Sequence, residues 1–190
     1  MTGGLNGEFA SAVTRLFDDG HAKTVLNLGV PKSAICGRPP LVGVAAVEID
    51  DDGSFQFIEY GDLALVVADG VRGAMGWSTV DELVVFRTDR PGRWGVRRGD
   101  VPLLGAGLND ALHDYAMTLG EPIRLYENPM SWLRAGGQGL VVLDWSFDPL
   151  KHFKGLHICC ETPALEAQLR DRTCEAALSS FAIEAYRNAA

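Results

Sequence analysis

The first part of the chain places apolar side chains at helical spacing. Phe9, Val13 and Leu16 recur at intervals of three and four residues, with polar residues between them, and Gly20 follows. This pattern predicts an amphipathic helix over residues 5–19 that ends at the glycine. A second, shorter helix is predicted over residues 21–28.

The middle of the chain consists of short apolar runs separated by turn residues. These runs lie at residues 42–49, 54–58, 63–68, 80–86 and 93–97. Between the first two runs, Asp50-Asp51-Asp52-Gly53 is typical of a tight hairpin turn, and the glycine-rich residues 69–78 predict a loop. Short strands joined by turns predict an antiparallel sheet with one face on the core.

From residue 121 onwards, strand-like and helix-like patterns alternate. Apolar runs at residues 123–126, 140–143 and 156–159 are each followed by a helical pattern. Asn128-Pro129 and Thr162-Pro163 are typical of helix N-termini. This alternation predicts a small parallel sheet covered by helices. Further helices are predicted over residues 108–119, 164–170 and 174–186.

Together these patterns predict an α+β fold in three segments. An N-terminal helical segment covers residues 1–38, an antiparallel β-meander covers residues 41–105, and a C-terminal βαβαβα unit covers residues 106–190. The alternative is one continuous mixed sheet, which would make the chain a single domain.

Composition narrows the range of partners and compartments. The chain has 190 residues and a formal net charge of −8, which argues against a protein whose main task is wrapping duplex DNA. Its four cysteines lack metal-type CxxC spacing and predict reduced thiols. The start of the chain lacks the pattern of a signal peptide, and no apolar run approaches the ~20 residues of a membrane-spanning helix. We therefore expect a cytoplasmic protein without a membrane partner.

A basic cluster with one aromatic residue marks the last predicted hairpin of the meander. Its members are Arg87, Arg90, Arg93, Trp94, Arg97 and Arg98. Guanidinium groups bind phosphate and an aromatic ring stacks on a base, so the cluster indicates a nucleic-acid-binding surface. The alternative is an edge hairpin that its charges protect from aggregation, and the acidic residues nearby in sequence favour this alternative.

Carboxylates follow the predicted strands of the C-terminal unit. They are Glu127, Asp144, Asp148 and Glu161. If these strands are parallel neighbours, their carboxyl ends share one edge, which is where ligands bind in open α/β sheets. Clustered carboxylates can bind Mg²⁺, an ion suited to phosphoryl chemistry. The alternative is that these carboxylates only begin helices, where the helix dipole favours negative charge.

The run from Tyr126 to Gly136 (YENPMSWLRAG) resembles the first motif of Toprim domains, the nucleotidyl-transfer and hydrolysis modules of topoisomerases and bacterial primases. The resemblance implies that Glu127 is the general acid/base residue. The later Asp-x-Asp motif of the family corresponds to Glu161-Thr162-Pro163, where proline takes the place of the second carboxylate. The resemblance therefore implies a degenerate, non-catalytic relative, or a metal site rebuilt from Asp144 or Asp148.

The resemblance also sets the expected function. The layout is similar to that of accessory replication proteins of phages and plasmids, so we expect a binding or regulatory protein of a mobile-element replication system. Its partner would be nucleic acid or a replication or host protein, and it would need no cofactor. One alternative is a Mg²⁺-dependent enzyme of phosphoryl transfer or nucleic-acid hydrolysis, acting through Glu127, Asp144 and Glu161. Another is an acidic inhibitor that mimics nucleic acid and binds a host protein.

Overall fold

A computed structural model of the protein describes residues 4–73, 76–107 and 121–188, with side chains described up to Leu178 in the last helix. The fold is of the α+β class, as predicted. The helices are α1 (Leu5–Asp18), α2 (Ala22–Asn27), α3 (Lys32–Cys36), α4 (Pro129–Arg134), α5 (Pro149–Phe153) and α6 (Pro163–Asn188). The strands are β1 (Val42–Ile49), β2 (Phe55–Phe57), β3 (Leu63–Gly73), β4 (Gly76–Phe86), β5 (Trp94–Val96), β6 (Leu103–Leu104), β7 (Ile123–Tyr126), β8 (Leu140–Val142) and β9 (Ile158–Cys160). The helix predicted over residues 108–119 lies outside the described residues.

The first sheet is antiparallel throughout, as the apolar runs predict. Its strand order is β2-β1-β3-β4-β5. The order differs from that of a simple meander because β3 pairs with β1 rather than with β2. The backbone N–H of Val96 in β5 donates to the carbonyl of Gly53, 2.8 Å away, in the turn between β1 and β2. The two edges of the sheet therefore approach each other.

The loop predicted over residues 69–78 is wrong, because two strands extend through most of this segment. β3 runs to Gly73 and β4 starts at Gly76, with register shifts near Gly70. A Cβ atom on Gly70 would lie 2.2 Å from the carbonyl oxygen of Thr79 on the paired strand. The glycine thus permits a close approach of two backbones within a bulged hairpin, and it does not end the strand.

The second sheet contains the three parallel neighbours that the C-terminal pattern predicts. Its order is β6-β8-β7-β9, with β7 parallel to both β8 and β9. The two sheets are separate within the described residues. The two-residue strand β6, which comes from the segment predicted as the meander, pairs antiparallel with β8 in this second sheet.

One apolar core joins the two sheets. α1 covers the first sheet with Leu5, Phe9, Ala12 and Leu16. Leu16 belongs to a buried cluster that also contains residues of both sheets and of α4, among them Val44, Val67, Phe86, Leu104, Met130, Trp132, Leu133 and Val141. Trp132 is fully buried, and its indole N–H donates to the carbonyl of Gly139 at 2.9 Å. Helix α4 therefore contributes side chains to the core between the two sheets and helps to pack the second sheet on the first.

The end of the chain forms one helix where two were predicted. α6 runs for 26 residues through the expected break at residues 171–173, which contain neither glycine nor proline. Arg172 lies in this stretch and donates to the carbonyl oxygens of Ser146 and Phe147, which attaches the helix to the loop after β8. In the part of the chain that the structure describes, no helix is both long and apolar enough to cross a membrane.

Candidate functional site

Two of the four predicted carboxylates meet at the edge of the second sheet. Glu127 follows β7 and Glu161 follows β9, and these strands are parallel neighbours. The backbone N–H of Glu127 donates to Oε2 of Glu161 at 2.9 Å, and the hydroxyl of Thr162 donates to Oε1 of Glu127 at 2.8 Å. The remaining carboxylate oxygens, Oε2 of Glu127 and Oε1 of Glu161, have no hydrogen bond to the described residues.

The other two carboxylates bind within their own loop after β8. Asp144 accepts from the hydroxyl of Ser146 at 2.6 Å and from its backbone N–H at 2.8 Å. These hydrogen bonds, with a smaller effect of the Arg172 charge, lower the pKa of Asp144 below its usual 3.8. Asp148 caps α5 by accepting from the N–H of Leu150 at 2.9 Å. Among the described residues, no group of three or more His, Cys, Asp or Glu side chains is placed to hold a metal ion.

The residues around Glu127 and Glu161 also begin two helices. Asn128 caps α4 by accepting from the N–H of Ser131 at 3.0 Å, and the hydroxyl of Thr162 accepts from the N–H of Leu165 at 3.2 Å. Each acidic residue thus stands immediately before a residue that binds a helix N-terminus. Pro163 is the first residue of α6, so no carboxylate occupies the position that the Asp-x-Asp motif would fill.

The structure divides the predicted basic cluster into paired and exposed arginines. Nε and Nη2 of Arg97 donate to both carboxylate oxygens of Glu8, at 3.1 and 3.0 Å, and Nη1 donates to the carbonyl of Phe55. Arg87 donates to Asp89 and to Asp62. Arg97 therefore holds α1 on the sheet, and Arg87 holds the loop before β3.

Arg90, Arg93 and Arg98 are the exposed members of the cluster. The side chains of Arg90 and Arg93 are 70% and 58% exposed, and their nearest carboxylates lie at 4.0 Å (Asp89) and 3.8 Å (Asp51). Trp94 is half-buried and packs against the core with part of its side chain.

Arg90 and Arg93 border a cavity that sequence reasoning did not find. Its volume is about 360 Å³. Its lining combines an apolar part, a guanidinium part and two carboxylates, formed respectively by Val47, Ile49 and Ile58, by Arg87, Arg90 and Arg93, and by Glu48 and Asp62. The end of β1 lies about forty residues before the arginines in sequence, so no local sequence pattern predicts that these apolar, basic and acidic side chains line one cavity.

Two buried carboxylates were also missed. Asp69 is 1% exposed and accepts from the N–H groups of Gly70 and Gly105, both at 2.9 Å. Glu82 is fully buried and accepts from four backbone N–H groups. The available signal was an acidic residue directly beside an apolar strand, at Leu63–Ala68 for Asp69 and at Leu83–Phe86 for Glu82.

Comparison with protein-family models, with curated proteins and with solved structures finds no match to this chain. The resemblance to Toprim domains stays a prediction.

Proposed function

We propose that this chain is a non-catalytic binding protein that holds single-stranded nucleic acid in the arginine-lined cavity. One observation carries the proposal: two exposed guanidinium groups border a cavity with an apolar part. Guanidinium groups bind phosphate through paired N–H donors, and an apolar surface accepts the face of an unstacked base. A cavity of about 360 Å³ lies at the small end of the range for ligand sites, which suits one nucleotide of a strand.

Arg90 and Arg93 can exchange their present partners for phosphate at small cost. Their contacts to Asp89 and Asp51 are at the outer limit of an ion pair, and the side chain of Asp51 is fully exposed. Exposed ion pairs contribute about 0–1 kcal/mol. A phosphate that both guanidinium groups contact would outweigh either pair.

Arg87 has a different role at the same cavity. Its guanidinium already donates to Asp62 and Asp89, so these hydrogen bonds hold it in place at the side of the cavity. The two carboxylates also offset its positive charge. About two guanidinium groups thus remain for phosphate. For a single strand, we expect the logarithm of the affinity to fall with the logarithm of salt concentration with a slope of about −1.4.

The test is oligonucleotide binding by the double variant Arg90→Ala/Arg93→Ala. Fluorescence anisotropy of a labelled single strand should show binding weakened about tenfold and a salt slope close to zero. Arg98→Ala, combined with Arg124→Ala on β7, removes the same charge from exposed positions that do not line the cavity, and it should leave affinity nearly unchanged.

The proposal is wrong if single strands bind the double variant as tightly as the wild type, or if no nucleic acid binds at all. In the second case, purification of the chain from cell extract with a basic host protein would favour the acidic inhibitor.

The resemblance to Toprim domains supports a role for this binding in DNA replication. A scaffold of this kind with proline in place of the second carboxylate suits an accessory protein in the replication of a phage, plasmid or other mobile element. Such a protein would hold the single strand that replication exposes and would need no cofactor.

A second candidate function rests on the contact between Glu127 and Glu161. Each has one carboxylate oxygen without a hydrogen bond to the described residues, and this pair could provide the first ligands of a Mg²⁺ ion for phosphoryl transfer. Nicking or nucleotide hydrolysis that requires Mg²⁺ or Mn²⁺ and disappears in Glu127→Gln would establish this function and overturn the non-catalytic proposal. Glu121→Gln, which removes the same charge before β7, is the control. An inactive wild type would eliminate this candidate.

A further inference from the structure

Glu48 lines the cavity beside the arginines with its carboxylate unengaged. Glu48 is exposed on β1, where it lies opposite Gln56 of β2. Within the described residues its side chain makes no hydrogen bond or ion pair. Asp62, the other carboxylate of the lining, instead accepts from Arg87. The cavity therefore offers a ligand one free, strong hydrogen-bond acceptor next to its cationic groups.

A free carboxylate distinguishes the four bases by their Watson–Crick edges. Its two oxygens accept a matched pair of hydrogen bonds from two adjacent donors. Guanine presents such a pair, N1–H and the N2 amino group. Adenine and cytosine each place an acceptor nitrogen beside their amino group, and thymine places its single N–H between two carbonyl oxygens. These three bases would turn a lone pair towards the negative carboxylate.

The guanidinium groups complement the remaining edge of guanine. O6 and N7 of guanine are both acceptors, and arginine binds this pair in many nucleic-acid complexes. A base whose donor edge faces Glu48 can thus turn acceptors towards Arg90 or Arg93, while the apolar lining from Val47, Ile49 and Ile58 contacts its face.

We propose that the cavity selects guanine from a single strand and that Glu48 determines this specificity. The inference rests on the proposed function, because it concerns which nucleotide occupies the same cavity. A matched bidentate pair discriminates against the wrong base by about 1–3 kcal/mol, so a preference of about tenfold is expected.

The experiment compares oligothymidylates that carry one central guanine, adenine or cytosine. Wild type should bind the guanine-containing strand about tenfold more tightly than the other strands. Glu48→Gln should reduce this preference to about twofold, because an amide offers one acceptor where the carboxylate offers two. Affinity for the strands without guanine should stay the same or rise slightly, since a negative charge near phosphate is removed.

Two further variants separate the possible failures. Glu121→Gln removes the same charge outside the cavity and should keep the full guanine preference. Arg90→Ala/Arg93→Ala should weaken the binding of every strand, and that of the guanine-containing strand most, because it removes the donors to O6 and N7 of guanine as well as those to phosphate. If strands bind without a guanine preference, or if the preference survives in Glu48→Gln, the specificity inference is wrong while the binding proposal stands. If no strand binds wild type, the proposed function fails and the inference fails with it.

Discussion

The buried carboxylate of Glu82 organises the segment that follows β5. Its Oε1 accepts from the N–H groups of Leu83, Arg97 and Arg98, each at 2.9 Å, and its Oε2 accepts from Gly99 at 2.8 Å. The side chain is fully buried. A single residue on β4 thus accepts from three consecutive backbone N–H groups, and that of Arg97 also donates to the carbonyl of Leu83 at 3.0 Å. The variant Glu82→Gln tests how much this arrangement contributes.

The size of the effect follows from the hydrogen bonds that change. In the better orientation of the glutamine, its oxygen keeps three donors while its amino group faces the N–H of Gly99. Losing a hydrogen bond to a charged acceptor costs about 1.5–3 kcal/mol, and three bonds that become neutral lose about 1 kcal/mol each. Removing a buried charge offsets several kcal/mol of this loss, because the charge no longer has to be desolvated. We expect a net destabilisation of about 2–3 kcal/mol.

Urea unfolding followed by circular dichroism measures this difference. Glu82→Gln should lower the midpoint with an unchanged dependence on urea concentration, and hydrogen exchange at Gly99 should accelerate. The matched control is Asp81→Asn, which removes the same charge at the exposed neighbouring position and should change stability by less than about 0.5 kcal/mol. A Glu82→Gln protein as stable as the control, with protected Gly99, would refute this reasoning.

Two other predictions concern packing and acid stability. Gly43→Ala should lower the free energy of unfolding in urea by about 1–3 kcal/mol, because the new Cβ would lie 2.6 Å from a backbone carbon of α1. The control is Gly7→Ala, on an open face of α1, which should be neutral or stabilising. Equal effects of the two substitutions would contradict the packing argument. Ser146→Ala should raise the pKa of Asp144 towards 3.8, measured by NMR titration of the carboxyl group. A carboxyl with a lowered folded-state pKa adds stability above its unfolded pKa and loses it as the pH falls through the folded value. Stability of the variant should therefore depend less on pH across this acidic window, and an unchanged titration would show that the hydrogen bond from the Ser146 hydroxyl is not the cause.

Local patterns predict those elements that short-range interactions decide. The spacing of Phe9, Val13 and Leu16 gives α1, and Asn128 caps α4 because its side chain reaches a backbone N–H three residues ahead. The parallel pairing of β7, β8 and β9 with one another also follows from the sequence, since short alternating strands and helices allow few topologies, but the position of β7 between β8 and β9 does not. The loop predicted from the glycines of residues 69–78 was wrong because glycine occurs both in loops and where two backbones approach closely. Only the contact with the partner strand distinguishes these two cases.

The candidate site depends on contacts that sequence distance hides. The arginine cluster was visible as a group, but its division was not, because Arg97 is paired with Glu8, 89 residues away. Likewise, the apolar and acidic part of the cavity comes from the end of β1 and from the loop before β3. Charge patterns along a chain identify which residues carry charge, while the folded partners decide which charges remain available to a ligand.

The core shared through α4 limits how this chain can be divided or recombined. A fusion that kept only residues 1–105 would retain every strand of the first sheet but would uncover the apolar surface under Trp132 and Leu133, and it would leave β6 without its partner β8. Such a fragment would expose apolar surface and an unpaired strand, to which chaperones and other copies of the fragment would bind. An engineer who wishes to graft the cavity onto another protein must therefore carry the second sheet along with it, or rebuild the covering helix.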